Sequence, residues 1–363
     1  MRNPFTFKWI VFVVLLAVTG MVQQTLAFEA NVSGQVNQLV MFADDGKDSD
    51  VFIGDNDNSS TRFRFTANEK FETFTAGTKI ELEAQRNASN TFTLPNTDDG
   101  GFEFNDRWME LFFDTEFGKF SLGKGDGAAN NTSETDLSGT SVIMYAGVND
   151  TAGGFKFVNK DTDTQEVEIG DTRSQFDGLS RNERFRYDTP NFAGFNLAGS
   201  VTNGGAWELG VFYASEFGGH KIAASAGYAD TVDRDSSEFT QLGVSASWLA
   251  PFGLNLTGAY GTRMYQGDTK TDREANGQST DANNYYMKIG YKLAKIHAFA
   301  VEYGITQDLA EKDDKSSNYG FAYVITPWSG VEFYAAVRQY MLDRDGEDYK
   351  DFSQIMGGTR IKF

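Results

Sequence analysis

Two short stretches set arginine at every second residue with aromatics between: Arg62-Phe63-Arg64-Phe65 and Arg184-Phe185-Arg186-Tyr187. In an extended strand successive side chains point to opposite faces, so each stretch carries a cationic face backed by an aromatic one. Guanidiniums that cannot lose their charge attract or sort anions; they do not move protons. The same parity puts Lys79, Arg338, Arg360 and Lys362 on the cationic side, with Glu81 and Glu83 beside Lys79. Segment 125–180 supplies the opposite charge: Asp126, Glu134, Asp136 and Asp150, then a second acidic group from Asp161 to Asp177. A basic wall facing an acidic loop would set a transverse field across an opening, and such rims sort solutes by charge and size.

Other chemistry finds less support. Cysteine is absent, which removes disulfide scaffolds, thiolate zinc sites and cysteine nucleophiles. His220 and His297 are the only histidines, and both fall beside short turns, so a catalytic base is hard to find. Acids at Asp44-Asp45, Asp55 and Asp57, Asp98-Asp99 and Asp313-Asp314 offer hard oxygen ligands. None completes a twelve-residue calcium loop with its central glycine and closing glutamate. Gly123-Lys124-Gly125-Asp126-Gly127 lacks the hydroxyl residue and the helix of a phosphate-binding loop.

What must position the arginines follows from composition. The 363 residues carry 32 Lys plus Arg against 51 Asp plus Glu, a net charge of −19. Such a surface repels phosphate backbones and excludes a nucleic-acid binder. With 32 Phe, 15 Tyr, 38 Gly and only five Pro, the chain is β-rich and aromatic-rich yet polar overall. That combination suits lipid on one side of a sheet and water on the other. Residues 1–27 read as a cleaved signal peptide: Arg2 and Lys8, then the apolar run Trp9–Val18, then Thr25-Leu26-Ala27. Its removal takes away Arg2 and Lys8 and brings the charge to −21. A run near ten residues is too short to cross about 30 Å of hydrocarbon as a helix.

In 28–363, alternating stretches near ten residues recur, separated by turns. Strands are expected near 31–43, 60–67, 73–85, 104–115, 117–124, 181–189, 195–203, 206–216, 219–230, 239–249, 252–263, 283–293, 296–306, 317–326, 330–342 and 352–363, which makes sixteen. Short connections alternate with long acidic ones, Asp44–Ser59, Arg86–Glu103 and Tyr265–Ala282 among them. A row of tight turns opposite a row of long loops predicts an all-β, antiparallel transmembrane β-barrel of the outer membrane. The strand-like Gly153–Asn159 would make seventeen and put the termini on opposite sides, so parity assigns 125–180 to one long loop. Pro190, Pro251 and Pro327 fall in turns, where no ladder needs their missing N–H. Phe117, Phe192, Phe217, Trp248, Phe252 and Trp328 gather at the same turns, as an interfacial girdle would.

Several segments resemble the alphaproteobacterial general-porin family. Gly34-Gln35-Val36-Asn37 running into Asp44-Asp45-Gly46 is similar to its opening strand and loop, although Gln38 and Leu39 stand where relatives often place arginine. The stretch from Asp55 through Ser59-Ser60-Thr61-Arg62 to Phe65, and Ser180-Arg181-Asn182-Glu183-Arg184 through Pro190, resemble two further segments. The ending Gly358-Thr359-Arg360-Ile361-Lys362-Phe363 has the terminal phenylalanine typical of outer-membrane barrels. The resemblance implies a homotrimeric porin for passive diffusion of small hydrophilic solutes and ions, with its third external loop folded into the lumen. With that loop inside, the inward bases and the loop acids predict a pore constriction at Arg62, Arg64, Lys79, Arg184, Arg186, Arg338, Asp126, Glu134, Asp136 and Asp150. The resemblance also implies a weak structural calcium at Asp55 and Asp57 with no other cofactor, lipopolysaccharide as surroundings, and Phe363 as the signal for the barrel assembly machinery. Val32, Val36, Val40, Ile361 and Phe363 point outward as a subunit contact, and the acidic mouth predicts a mild cation preference. A substrate-selective channel, a barrel hydrolase and a structural surface β-protein are the alternatives.

Overall fold

The computed structural model describes residues 28–96, 100–231 and 237–363, so the expected signal peptide lies outside the described residues. In chain order the strands are β1 (Glu29–Asp44), β2 (Ser49–Asp55), β3 (Arg62–Lys70), β4 (Phe74–Arg86), β5 (Phe102–Thr115), β6 (Gly118–Asp126), β7 (Lys156–Val158), β8 (Gln165–Glu168), β9 (Arg181–Asp188) and β10 (Phe195–Thr202). They continue as β11 (Trp207–Phe217), β12 (His220–Asp230), β13 (Phe239–Leu249), β14 (Leu254–Tyr265), β15 (Asp281–Leu293), β16 (His297–Gln307), β17 (Lys315–Trp328), β18 (Val331–Arg344), β19 (Glu347–Asp348) and β20 (Phe352–Lys362). Neighbours pair antiparallel in sequence order, and β1 with β20 closes the ring from Gln35↔Lys362 to Asp44↔Ser353.

The wall has sixteen positions, because β2 and β3 together fill the one beside β1, and β19 and β20 together fill the one beside β18. Residues 49–55, expected inside the loop Asp44–Ser59, are strand instead. Their alternation, Val51 and Ile53 out and Phe52 in, is only three residues long and sits between acids, too brief to stand out in the sequence. A 3-10 turn, Asp57–Ser59, interrupts the pair, capped by Asn58 N donating to the Asn56 side chain at 3.1 Å. The strand-like part of segment 127–180 is also real, but it forms a separate hairpin of β7 and β8 that leaves the wall count intact. The loop 266–280 contains a helix, Gly267–Ala275.

Facing follows the alternation. Val32, Val36, Val40, Phe63, Phe65, Phe185 and Ile361 are exposed on the outside, where a charge near the midplane would cost about 2–4 kcal/mol. Phe117, Phe192, Phe217, Phe252 and Trp328 are exposed at the tight-turn end, and Trp248 stacks on His220 there.

The barrel is not empty. Val142, Ile143, Met144, Val148, Phe155, Phe157 and Ile169 of segment 127–180 are buried against inward residues of β1, β2, β15, β18 and β20. Their wall partners include Leu39, Met41, Phe52, Tyr286, Tyr334, Tyr340, Phe352 and Met356. Each large apolar side chain withdrawn from water contributes about 1.5–3 kcal/mol. The segment is therefore held by a hydrophobic core of its own inside the barrel.

Candidate pore constriction

The arginine ladder is built by register. Arg62 lies opposite Glu83 and Arg64 opposite Glu81 across β3 and β4, so cations and acids of adjacent strands interlock on the inner face. Arg64 and the buried Glu81 form one ion pair, and Glu81 also meets Arg107 Nε at 3.0 Å. Arg107 reaches Glu83 at 2.7 Å. Its inward direction comes from a bulge: the β4–β5 register shifts between Glu81 and Leu82, so Arg107 and Trp108 both face inside. Plain alternation cannot reveal that residue.

A lumenal cavity of about 560 Å³ collects five arginines, Arg62, Arg107, Arg181, Arg263 and Arg360. Four carboxylates line the same space: Asp57 from the 3-10 turn, and Glu134, Asp150 and Asp177 from segment 127–180. None of these four forms a salt bridge among the described residues; they accept weaker hydrogen bonds instead. Asp57 accepts from Gln85 at 2.8 Å, Glu134 from Gln175 at 3.0 Å, and Asp177 from the Asn131 and Ser133 amides at 2.6 and 2.8 Å. Asp150 accepts from the Tyr145 hydroxyl. Burial pushes the Asp150 and Asp177 carboxyls up to about 6, and burial with the nearby Asp177 charge holds Glu134 well above the usual carboxylate range.

A second cavity, about 610 Å³, is lined by Glu110, Asp114, Lys119, Asp126, Arg184, Arg186 and Asp188. Both cavities share Asn130 and Asn131, where segment 127–180 leaves the wall. The departure is pinned from below. Arg184, almost fully buried against Glu110, donates to the carbonyls of Asp126 and Gly123 at 3.0 Å each. Arg186 pairs with Asp188 and donates to the Gly127 carbonyl at 2.7 Å.

The expected constriction residues therefore separate. Arg62, Glu134 and Asp150 line the first cavity, and Asp126, Arg184 and Arg186 the second. Arg64 faces the lumen paired with Glu81, and the Lys79 ammonium sits 3.1 Å over the Trp108 ring. Two of the expected residues do not reach the opening. Arg338 is buried against Glu302, and its guanidinium donates to Thr151 Oγ1 at 2.9 Å and to the Ile143 carbonyl. Asp136 is buried against Lys288 Nζ at 2.6 Å. Arg338 faces inward as parity requires but lies under the loop, whereas Asp136 belongs to the loop and meets the wall at Lys288, so both contacts anchor the loop to the wall.

The acidic pair singled out for calcium also divides. Asp55 is buried and accepts from the Thr61 amide at 2.9 Å and from Gln38 at 3.0 Å, while Asp57 lines the first cavity. Among the described residues no group of three or more His, Cys, Asp or Glu is placed to hold a metal ion. Phe363 lies on the closing seam: it exchanges backbone hydrogen bonds with Gly34 at 2.8 and 3.0 Å, and its ring is 6.1 Å from Phe63.

Comparison with known proteins agrees with this geometry. A family model described as Gram-negative porin matches residues 12–345. Among curated proteins none matches this chain. An anion-selective porin from Comamonas acidovorans superposes with a TM-score of 0.63 at 17% identity, covering 93% of this chain and 100% of that one. The trimer form of OmpT from Vibrio cholerae gives 0.60 at 15%, covering 93% and 100%. Salmonella typhi OmpF in complex with daunomycin gives 0.57 at 13%, covering 94% and 100%. At these identities the solved structures speak for the fold.

Proposed function

This chain belongs to the Gram-negative porin family, a channel of the outer membrane and not an enzyme, and on that premise we propose that it is a homotrimeric, general diffusion pore of the alphaproteobacterial branch. Small hydrophilic solutes and ions pass through the two lumenal cavities, and segment 127–180 narrows the passage where Asn130 and Asn131 border both. That shared border inside a closed barrel is the observation that carries the reading. Arg62, Glu134 and Asp150 line the narrows, and Asp126, Arg184 and Arg186 the space on its other side. Lipid and lipopolysaccharide surround the barrel, and the assembly machinery reads its end at Phe363.

Subunits meet through the outward residues near the seam, Val32, Val36, Val40, Ile361 and Phe363, all of which are exposed in the single chain. An unheated gel or native mass measurement of detergent-extracted protein is expected to show three copies that collapse to one on heating. Monomer alone before heating would overturn the assembly.

Planar-bilayer recording tests the pore itself, with stepwise conductance in threes as the expected result. Ion preference is expected to be mildly cationic at low salt, because the external loops are acidic. It weakens as salt rises, since the screening length is already about 10 Å at 0.1 M. Acidification shifts the preference toward anions. Carboxyls whose pKa is raised take up protons early, so Asp150 and Asp177 lose charge as pH falls through about 6 while the arginines keep theirs. Reversal potentials in a KCl gradient at about pH 8 and about pH 5 bracket that window. Equal values at both would remove the loop acids from the selectivity.

A further inference from the structure

The five arginines of the first cavity are not equivalent. Arg62 lies 3.6 Å from Glu81, Arg107 reaches Glu81 and Glu83 at 3.0 and 2.7 Å, and Arg181 meets Asp126 at 3.0 Å. Arg360 is paired with Glu332. Each of these charges is offset by a carboxylate on the wall or at the loop's root. Arg263, on β14, has no carboxylate within salt-bridge distance among the described residues. Its Nε donates to Gln241 Oε1 at 2.9 Å, and its guanidinium lies over the Phe239 ring at 4.2 Å and near Phe176 at 5.2 Å. Rings hold the plane of the guanidinium and exclude water from it without cancelling its charge.

We propose that Arg263 is the anion subsite of the pore, tempering the cation preference of its acidic loops: a small carboxylate or phosphate group of a permeating solute is held there on its way through. The inference rests on the pore reading above. A guanidinium whose charge is locally offset contributes little field a few ångströms away, whereas an uncompensated one attracts anions across the cavity. The acids in the same cavity leave room for this role, because among the described residues none of Asp57, Glu134, Asp150 and Asp177 lies within salt-bridge distance of Arg263, and Glu134 and Asp177 are held by Gln175 and by two backbone amides. A ligand oxyanion would satisfy Arg263 without displacing an existing ion pair, which is not true at Arg62, Arg107, Arg181 or Arg360. Gln241 fixes the orientation: it accepts from Arg263 and donates to the Gly178 carbonyl at 2.8 Å, tying the subsite to the loop.

The test uses the full-length protein in planar bilayers, with chloride-to-potassium permeability ratio and inhibition by inorganic phosphate as readouts. R263Q is expected to lower the ratio by roughly twofold or more and to abolish phosphate inhibition, because it removes an unscreened charge at the narrows. R263K keeps the charge and is expected to retain most of the ratio. R62Q, whose loss leaves Glu81 with Arg64 and Arg107, is expected to shift it less. A conducting R263Q pore with unchanged ratio and unchanged phosphate inhibition would overturn the subsite. A larger shift from R62Q than from R263Q would do the same. Failure of the unaltered protein to conduct would instead overturn the pore.

Discussion

Deleting Phe363 is expected to leave most of the protein unassembled, with little heat-modifiable barrel in the outer membrane and precursor accumulating in the periplasm. The terminal residue sits where the barrel closes. Its amide and carbonyl pair with Gly34, and Lys362 N donates to the Gly330 carbonyl at 2.8 Å, so the end of β20 is bonded on both sides. A Cβ added at Gly34 would come within 2.8 Å of the Phe363 ring, so the glycine leaves the space the ring occupies. Removing the residue takes two hydrogen bonds from the seam, each worth about 0.5–1.5 kcal/mol, together with the ring contact on Phe63. The proposed assembly signal is lost with it. F363Y keeps ring and seam and is expected to assemble, whereas G34V, which obstructs the ring's seat, is expected to resemble the deletion. Normal amounts of heat-modifiable barrel from the deleted protein would refute both the seam argument and the signal.

The second large effect is expected behind the loop. R338M should destabilise the barrel by about 3–5 kcal/mol, the usual consequence of leaving one member of a buried ion pair alone. Arg338 and Glu302 have side chains with 0% exposure each. Without the guanidinium, the Glu302 carboxylate keeps only the Tyr286 hydroxyl at 2.8 Å and the Asn318 amide at 3.1 Å. Segment 127–180 loses its bonds at Ile143, Val148 and Thr151 together, so the single-channel current should become noisier and the mean conductance larger. Replacing both residues, R338M with E302M, removes the orphaned charge and is expected to recover part of the stability while the current stays noisy. Unchanged heat-dissociation temperature and unchanged noise in R338M would show that the apolar core alone holds the loop.

The resemblance of segments such as Asp55–Phe65 and Ser180–Pro190 pointed to a porin, and the family match bears that out at the coarser level of the Gram-negative family. Alternation and the loop acids suggested one role for the whole set of inward charges. The structure divides that set into residues that line the lumenal cavities and residues that are buried between wall and loop.

What the sequence determined by itself is the wall. Lipid on one face and water on the other impose a period of two, so residues such as Phe63 and Arg64, or Phe185 and Arg186, can be assigned a side from their types alone. Closure imposes an even count, which is why residues 125–180 read as a single loop despite the strand-like stretch inside them. The tertiary structure decided what happens within the wall. A loop has no period to reveal its path, and its attachments lie far away in the chain: Asp136 finds Lys288 and Arg173 finds Asn318 across more than a hundred residues. Alternation can say that Arg338 points inward, but a residue pointing inward is buried or solvated according to what lies over it. Arg107 needed a bulge to turn it, and Arg263 is distinguished by having no carboxylate within salt-bridge distance among the described residues. Facing is a local consequence of strand geometry and was legible; burial and charge compensation are pairwise quantities that exist only once distant segments have met.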